Sequence, residues 1–305
     1  MRALCHHGGI SKYVKIPHIL LSWAVCVWAA VEPFVNISAI ASMSIGFCDV
    51  TCERRCTNIA PHKLVLADRV KGQPIPPTNS TMRMTHAEGR AFYFALMSSR
   101  RYLEWGAGGT TIVAAWRALH PTLPALEAHT VESDESFIET LRRQAPAQVG
   151  AAEQSGHLHL HVASLGVLNE WGSPAGWRFR DPTARWTQSS SYIQALSPAA
   201  CCFDTILVDG RFRVACALHA LRLAHSSTLV LVHDFNTFVT KQGLIRKSTR
   251  GRASSSYANI SHWYDTLQNY DTLTVLRPKD HVIDAAKSAA PEYMRALLEA
   301  SNDPR

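Results

Sequence analysis

The chain has 305 residues, which suffices for one large domain with appendages or for two modest domains. Hydrophobic residues make up 47% and charged residues 18%, a globular composition that excludes an intrinsically disordered chain. The formal net charge of +7 favours acidic partners. Lys and Arg nevertheless form no dense run interleaved with aromatic residues, so nucleic acid is not expected as a partner.

The first 47 residues differ from the rest of the chain. Basic residues precede an apolar run over residues 19–31, and a second apolar stretch covers residues 34–47. A basic head followed by an apolar core is typical of a secretory signal. We therefore predict that residues 1–47 are a signal peptide or, if uncleaved, a single-pass signal anchor that holds the protein to a membrane. The protein is then luminal in the secretory pathway or secreted, and an organelle transit peptide is the alternative.

Cysteine use favours the same oxidising compartment. Six cysteines follow the apolar leader, an even number that predicts disulfides or plain free thiols: Cys48, Cys52, Cys56, Cys201, Cys202 and Cys216. The four-residue spacing of the first three includes no His and matches no paired zinc pattern. Three sequons predict a glycoprotein if the chain enters a lumen, at Asn36, Asn79 and Asn259.

Residues 48–81 are predicted to form a linker that contains Cys and Pro, because residues 72–77 are rich in turn-forming residues. A helical apolar pattern begins at Thr85, and the main domain is predicted over residues 82–285. Residues 286–305 are expected to form a C-terminal helix or tail.

Strands and helices alternate along the main domain. Strands are predicted at residues 102–105, 128–132, 157–163, 205–208 and 228–232, with a final pair near 270–276, and the intervening helices at 111–119, 135–144 and 214–223. This alternation predicts an α/β fold with a doubly wound, Rossmann-like, mostly parallel sheet of seven strands and helices on both faces. Ligands of such sheets bind at the carboxyl ends of the strands.

A glycine loop follows the first predicted strand, in the segment Leu103-Glu104-Trp105-Gly106-Ala107-Gly108-Gly109-Thr110-Thr111. Glycines allow a sharp turn and close approach of a ligand to the main chain, and the following helix start offers free N–H groups. A nicotinamide-type fingerprint requires Gly or Ala where this chain has Thr111. Glu104 instead suits a cationic α-amino group.

Carboxylates follow three further strands. Glu132 ends the second strand, where an acid accepts the hydroxyls of a ribose, and Ser133 or Asp134 beside it is suited to cap the next helix. Asp209 and Asp234 end two neighbouring apolar strands. Converging acids of this kind indicate a site, although Asp is also a common helix cap.

Five segments in this order resemble a class I S-adenosylmethionine (SAM) methyltransferase. The group concerned reads E-x-G-x-G-G-(S/T)-T, V-E-x-D, W-G-x-P, V-D-G-R-F-R and H-D. In this chain the segments begin at Glu104, Val131, Trp171, Val208 and His233. The match covers about two-thirds of the chain.

The resemblance implies a role for each residue. Glu104, Gly106, Gly108 and Gly109 would hold the methionine part of SAM, Glu132 its ribose, and the segment at Ser164 its adenine. The group commonly has Asp near Ser164, and this departure weakens the adenine assignment. Asp209, Arg211, His233 and Asp234 would face the acceptor, which we expect to be a small molecule or an acidic glycan methylated on oxygen or nitrogen.

Asp209 or His233 is the candidate base, because an oxygen or nitrogen nucleophile loses a proton during methyl transfer. A divalent cation held by Asp209 and Asp234 is the alternative arrangement.

Between residues 236 and 258 an insert carries five basic residues, which predicts either a lid that recognises an acidic acceptor or a solvated loop: Lys241, Arg246, Lys247, Arg250 and Arg252. Two other functions are considered: a luminal protein that keeps the fold without turnover, and a Rossmann enzyme with another nucleotide cofactor.

Overall fold

The structure is a computed structural model, and it describes residues 82–169, 172–177, 180–197, 200, 202–235, 237–239, 245–247, 255–288 and 290–300. The predicted leader, the linker, the sequons at Asn36 and Asn79 and most of the basic insert lie outside these residues. Among the described residues, no helix combines the length and the apolar character that a membrane span requires.

Seven strands form one sheet. Five of them are parallel: β1 (Arg101–Trp105), β2 (Glu127–Glu132), β3 (Leu158–Val162), β4 (Thr205–Val208) and β5 (Leu229–Val232). The antiparallel hairpin of β8 (Tyr264–Tyr270) and β9 (Leu273–Pro278) lies beside β5, so the strand order is β3-β2-β1-β4-β5-β9-β8. The predicted doubly wound, mostly parallel sheet of seven strands is confirmed.

Helices cover both faces of the sheet. One apolar core lies under α1 (His86–Met97), α2 (Gly109–Ala118) and α3 (Glu135–Gln144), together with the short α4 (Ala151–Gln154). The opposite core lies under α5 (Pro182–Ile193), α6 (Arg213–Leu223), α7 (Asp280–Lys287) and α8 (Pro291–Ala300). The central strands β4 and β5 are buried at every position, which explains their unbroken apolar sequences.

Local sequence explains where the helices begin. Thr85 and Glu88 form a reciprocal capping box at the start of α1. Asp134 caps α3 and Asp181 caps α5 through side-chain bonds to backbone N–H groups. Asp134 is therefore a cap as well as a neighbour of Glu132.

Several elements differ from the sequence prediction. Helix α5 is not predicted, because its serine-rich and threonine-containing sequence gives a weak apolar pattern. The final hairpin turns at Asp271, so its first strand lies earlier than predicted. Within the basic insert, β6 (Thr237–Val239) and β7 (Ile245–Lys247) pair as a separate two-stranded sheet. In the predicted C-terminal segment, Tyr293 and Leu297 of α8 are buried in the core shared with α6.

Candidate cofactor and acceptor site

The carboxyl ends of four parallel strands meet at one edge of the sheet. Backbone hydrogen bonds hold the tips at one level, because Gly106 donates to Val131 across β1 and β2 and Asp209 donates to Trp105 across β4 and β1. His233 donates in the same way to Val208 across β5 and β4. The predicted residues of the glycine loop, the β2 tip, the β4 tip and the β5 tip therefore share this edge.

The glycine loop lies against the β4 tip. Gly106 has φ +95°, and a Cβ on it would lie 2.7 Å from the backbone N and Cα of Gly210. A Cβ on Gly210 would in turn overlap the hydroxyl of Tyr192. Gly108 differs from both, because a Cβ there would have no other atom within 4 Å. Gly106 and Gly210 are thus required by packing, whereas Gly108 opens onto free space and Gly109 begins α2.

Glu104 lies beneath the loop rather than in the open edge. Its carboxyl group is fully buried and accepts hydrogen bonds from four hydroxyl groups, those of Tyr102, Thr110, Thr111 and Thr130. Burial raises the pKa of Glu104, although the hydroxyl donors oppose this rise. Thr111 also accepts the N–H of Gly108 at 2.9 Å. Glu104 therefore anchors the glycine loop from below, and its contact with a methionine group stays a prediction.

Glu132 joins the loop to the β2 tip. Its Oε2 accepts the N–H of Ala107 at 2.9 Å, and its Oε1 accepts the N–H groups of Ser133 and Asp134. The side chain is held in one direction by these bonds, and Oε2 keeps a lone pair for a further donor. This geometry fits the predicted role in holding a ribose hydroxyl.

A cavity of about 530 Å³ opens beside Glu132. The tips of β2 and β3 and the first turns of α3 line it, including Ser133, Asp134, Ser136, Ser164 and Gly166. Ser164 also accepts the N–H of Gly166 at 3.2 Å, which stabilises the turn after β3. The cavity is lined mainly by polar residues, and the contact of Ser164 with an adenine stays a prediction.

The tips of β4 and β5 carry an ionic cluster. His233 Nδ1 lies 2.9 Å from Asp209 Oδ1, and Arg213 lies 3.2 Å from the same oxygen. Arg213 also contacts Asp234 Oδ2 at 2.8 Å and donates to the carbonyl groups of Asp209, Gly210 and His233. The buried guanidinium therefore fixes both acids and both loops.

The ionic cluster shifts the titration of its members. Burial by itself would raise the pKa of Asp209, but the hydrogen bond with His233 and the charge of Arg213 outweigh it and lower the pKa. Burial by itself would lower the pKa of His233, but the hydrogen bond and the charge of Asp209 raise it above its ordinary value. At neutral pH, Asp209 is thus ionised beside a histidine that holds its proton well.

Two members of this cluster, Glu88 and Arg213, were not predicted from the sequence. Glu88 lies on the far side of His233, with Oε2 3.7 Å from Nε2, and it accepts three further bonds from Thr272 and Leu273. A carboxylate in a helix capping box gives no signal of such a long-range contact. Arg213 belongs to the quoted motif V-D-G-R-F-R, so its place in the motif was the available signal.

Two residues beside the cluster have left-handed backbone angles. Phe212 has φ +53° and Asp234 has φ +55°, values that are uncommon for residues other than glycine. Both follow a central strand and flank Arg213 in space. Left-handed backbone conformations of residues with side chains are strained and are tolerated where the surrounding structure imposes them. They often mark a functional site.

Arg211 faces the segment that begins with W-G-x-P. Its guanidinium lies 3.4 Å from the hydroxyl of Ser173, while a Cβ on Gly172 would lie 3.7 Å from Ser133. This segment therefore lies near both the β2 tip and the β4 tip. Arg211 is half-buried, and within the described residues it forms no ion pair. It is thus a cation at the site without a carboxylate partner there.

The acids of the cluster do not fit a divalent cation. Ligand atoms of Asp209, His233 and Asp234 lie within 4.8 Å of one another, as a metal site requires. Arg213 already contacts Asp209 Oδ1 and Asp234 Oδ2, and although burial opposes it, the charges of these acids raise the pKa of Arg213. An ion bound there would lie beside a permanent positive charge, so no chemical step is assigned to a metal.

Comparison with known proteins supports the fold. No family model matches the chain, and no curated protein matches it in sequence. The structure is similar to a methyltransferase-like protein from Silicibacter pomeroyi DSS-3, with a TM-score of 0.52 and 23% identity over 73% of this chain and 97% of that one. It also matches the O-methyltransferase TomG from Streptomyces achromogenes, solved with SAM, at a TM-score of 0.38 and 19% identity over 64% of this chain and 81% of that one. The likeness to the Silicibacter protein shows that the chain has a class I methyltransferase-like fold, as the resemblance implied.

Proposed function

We propose that the protein is a SAM-dependent methyltransferase that acts on an oxygen or nitrogen of an anionic small molecule. The observation that carries this proposal is the ionised Asp209, fixed by His233 and Arg213, at the same strand edge as a glycine loop tied to Glu132. SAM, when bound, would supply the methyl group from its sulfonium, and the neutral thioether S-adenosylhomocysteine would be the leaving group. The fold and the open space at Gly108 support this cofactor.

The residues that would hold SAM lie in two groups. The loop from Gly106 to Gly109 would contact the methionine part, and Glu104 fixes that loop from below. Glu132 would accept a ribose hydroxyl, and Ser164 would line the adenine in the cavity. A sulfonium and an ammonium are cations, and the acids around this half of the edge make its potential favourable for them.

Asp209 is the better placed of the two candidate bases. Its side chain is 28% exposed, whereas that of His233 is 11% exposed and lies against Glu88. Within the described chain both cationic partners of Asp209 contact Oδ1, which leaves Oδ2 for a proton of the acceptor. We therefore assign proton removal to Asp209, and orientation of Asp209 to His233 and Arg213.

Arg211 supports an acceptor with a negative charge. Its half-buried guanidinium has no carboxylate partner among the described residues, so it suits a carboxylate or phosphate on the acceptor. The basic insert follows the β5 tip and would add to this recognition. Acidic glycans and smaller uronates or phosphates are therefore the first acceptors to screen, and Arg211→Ala is expected to raise the acceptor KM with little change in SAM affinity.

The test is calorimetric titration of SAM into the full chain, with Glu132→Gln as the site variant and Glu153→Gln as the surface control. Micromolar binding that is weakened at least tenfold in Glu132→Gln alone would support the proposal. A folded protein that binds NAD or a nucleotide sugar in place of SAM would overturn it in favour of another Rossmann enzyme. Binding of SAM without methyl transfer to any acidic acceptor would favour a protein that has lost turnover.

Exposure to a chelator tests the role of metal separately. Methyl transfer and SAM binding are expected to survive exhaustive EDTA treatment, because Arg213 supplies the positive charge between the two acids. Loss of transfer after EDTA, with recovery on adding Mg²⁺, would restore the metal-dependent alternative.

We also propose a location in the secretory pathway, as a luminal, membrane-anchored or secreted glycoprotein. Cys202 is in a disulfide, which supports an oxidising compartment, whereas Cys216 is a buried free thiol. The test is expression of the full chain in animal cells followed by glycosidase treatment. Glycosidase treatment is expected to increase the electrophoretic mobility of the wild type, and to do so by a smaller amount in Asn259→Gln. An unglycosylated protein in mitochondria would favour the transit peptide instead.

A further inference from the structure

A cluster of imidazoles lies on the face of strands β2 and β3. Glu127 and His129 alternate along β2, and His159 and His161 alternate along β3. The two strands are parallel, with His129 beside His159 and Val131 beside His161. Because alternate residues of a strand share a face, all four polar side chains lie on one side of the sheet. We call these four residues the β2–β3 histidine cluster.

The donor atoms of the cluster are close together. His129 Nε2 lies 2.9 Å from Glu127 Oε1, and His129 Nδ1 lies 3.0 Å from His161 Nε2. The rings of His129 and His159 stack at 4.6 Å between centroids. Ligand atoms of Glu127, His129 and His159 all lie within 4.8 Å of one another. Two imidazoles and one carboxylate are therefore within reach of a single ion after rotation of the stacked rings.

The surroundings favour metal ligands over ordinary surface histidines. His129 packs edge-on against Phe203, which fixes the ring. Glu127 accepts two bonds of 3.1 Å from Arg101, so an ion here would share one of its three ligands with a guanidinium, whereas Arg213 contacts both acids of the ionic cluster at β4 and β5. His159 and His161 are half-buried on the edge strand, so an ion can reach the cluster from solvent.

We propose that Glu127, His129 and His159 bind a divalent transition-metal ion such as Zn²⁺. Zinc ligand distances of about 2.0–2.2 Å place the atoms of a tetrahedral site roughly 3.4 Å apart, which small side-chain rotations reach from the observed spacing. His129 coordinates through Nε2 while its Nδ1–H donates to His161 Nε2. Water fills the remaining position.

The proposed ion site is separate from the proposed cofactor site. Glu127 begins β2 and Glu132 ends it, so the two carboxylates are about 16 Å apart along the strand at ~3.3 Å per residue. An ion held by β2 and β3 together would fasten the edge strand to the sheet. We expect it to raise thermal stability without entering methyl transfer.

The test uses the untagged full chain after chelation, titrated with Zn²⁺ in a calorimeter and with Co²⁺ in a visible spectrometer. One equivalent of Zn²⁺ is expected, with d–d absorption of bound Co²⁺ and an increase in melting temperature. His159→Gln is expected to weaken binding at least tenfold, and its half-buried side chain makes a folding defect small. Glu127→Gln is a second, independent variant of the same site.

Two controls make the outcome specific. His281→Gln removes an exposed histidine of α7 and is expected to leave binding unchanged. His233→Gln removes the histidine of the other ionic cluster and is also expected to leave it unchanged. The proposal is overturned if no stoichiometric binding is observed, if His159→Gln and Glu127→Gln bind like the wild type, or if His233→Gln alone abolishes binding.

Discussion

The two halves of the strand edge hold their carboxylates in opposite ways. At β1 and β2, the donors to Glu104 among the described residues are all hydroxyl groups, and Glu132 accepts mainly backbone N–H groups. At β4 and β5, Asp209 and Asp234 share a buried guanidinium, and Asp209 also pairs with an imidazole. The first half is therefore held by neutral dipoles, and the second half by charges.

This difference suits two different tasks. Neutral donors orient an acid without cancelling its charge, so the β1–β2 half keeps a negative potential for a cationic cofactor. Cations at β4 and β5 keep Asp209 ionised and fixed while the local charge is nearly balanced. A site that accepts a proton from an anionic acceptor benefits from that balance, because its substrate is not repelled.

The largest effect is expected from Gly106→Ala. Its methyl group would meet the backbone of Gly210 at 2.7 Å, and φ +95° disfavours any side chain, so we expect a loss of about 3–5 kcal/mol in the free energy of unfolding. Gly108→Ala is the matched control and is expected to change stability by less than about 0.5 kcal/mol. Urea denaturation measures both. Equal losses in the two variants would mean that the loop does not pack as described.

Arg213→Met is expected to destabilise the protein by about 3–5 kcal/mol, because it removes a buried guanidinium that bonds to Asp209, Asp234 and three backbone carbonyl groups. Arg142→Met is the control, since it breaks an exposed pair with Glu153 that is worth at most about 1 kcal/mol. A similar small loss in both variants would show that the β4–β5 half does not depend on charge.

His233→Gln is expected to lower the free energy of unfolding by about 1.5–3 kcal/mol, and the size of this loss depends on pH. The raised pKa of His233 means that its contribution is present below pH 6.5 and lost as pH rises through the folded value. The lowered pKa of Asp209 means that its contribution is present above pH 3.8 and lost as pH falls through the folded value. The difference between wild type and variant should therefore be greatest from about pH 4 to 6.5 and decrease in alkali. A difference that is flat with pH, measured by denaturation at a series of pH values, would contradict the ionic pair.

Glu104→Gln is expected to cause the smallest loss in the free energy of unfolding, about 1–2 kcal/mol. The hydroxyl groups that donate to the carboxylate can rotate, so some of them can accept from the amide of the variant. Weakened SAM binding is expected to accompany this loss, since the loop from Gly106 to Gly109 rests on Glu104. The calorimetric titration described above measures it. Unchanged affinity in a folded variant would show that the anchor has no influence on the loop.

Comparison of prediction and structure shows which signals were sufficient. The strands β4 and β5 and the helix α3 were predicted with nearly their observed bounds, because apolar runs and an Asp cap are local patterns. Helix α5 was missed, since its stability comes from packing of residues such as Tyr192 and Ile193 in a core made by distant strands.

Local sequence is enough to predict the alternation of elements, the glycine loop and the strand tips that carry Glu132, Asp209 and His233, because each depends on neighbours within a few residues. Tertiary packing, in contrast, places Glu104 beneath the loop, brings Glu88 to His233 across 145 positions of sequence, and joins the two acids through Arg213. Strand order brings these groups together, and strand order arises from the packing of both faces of the sheet rather than from any local pattern.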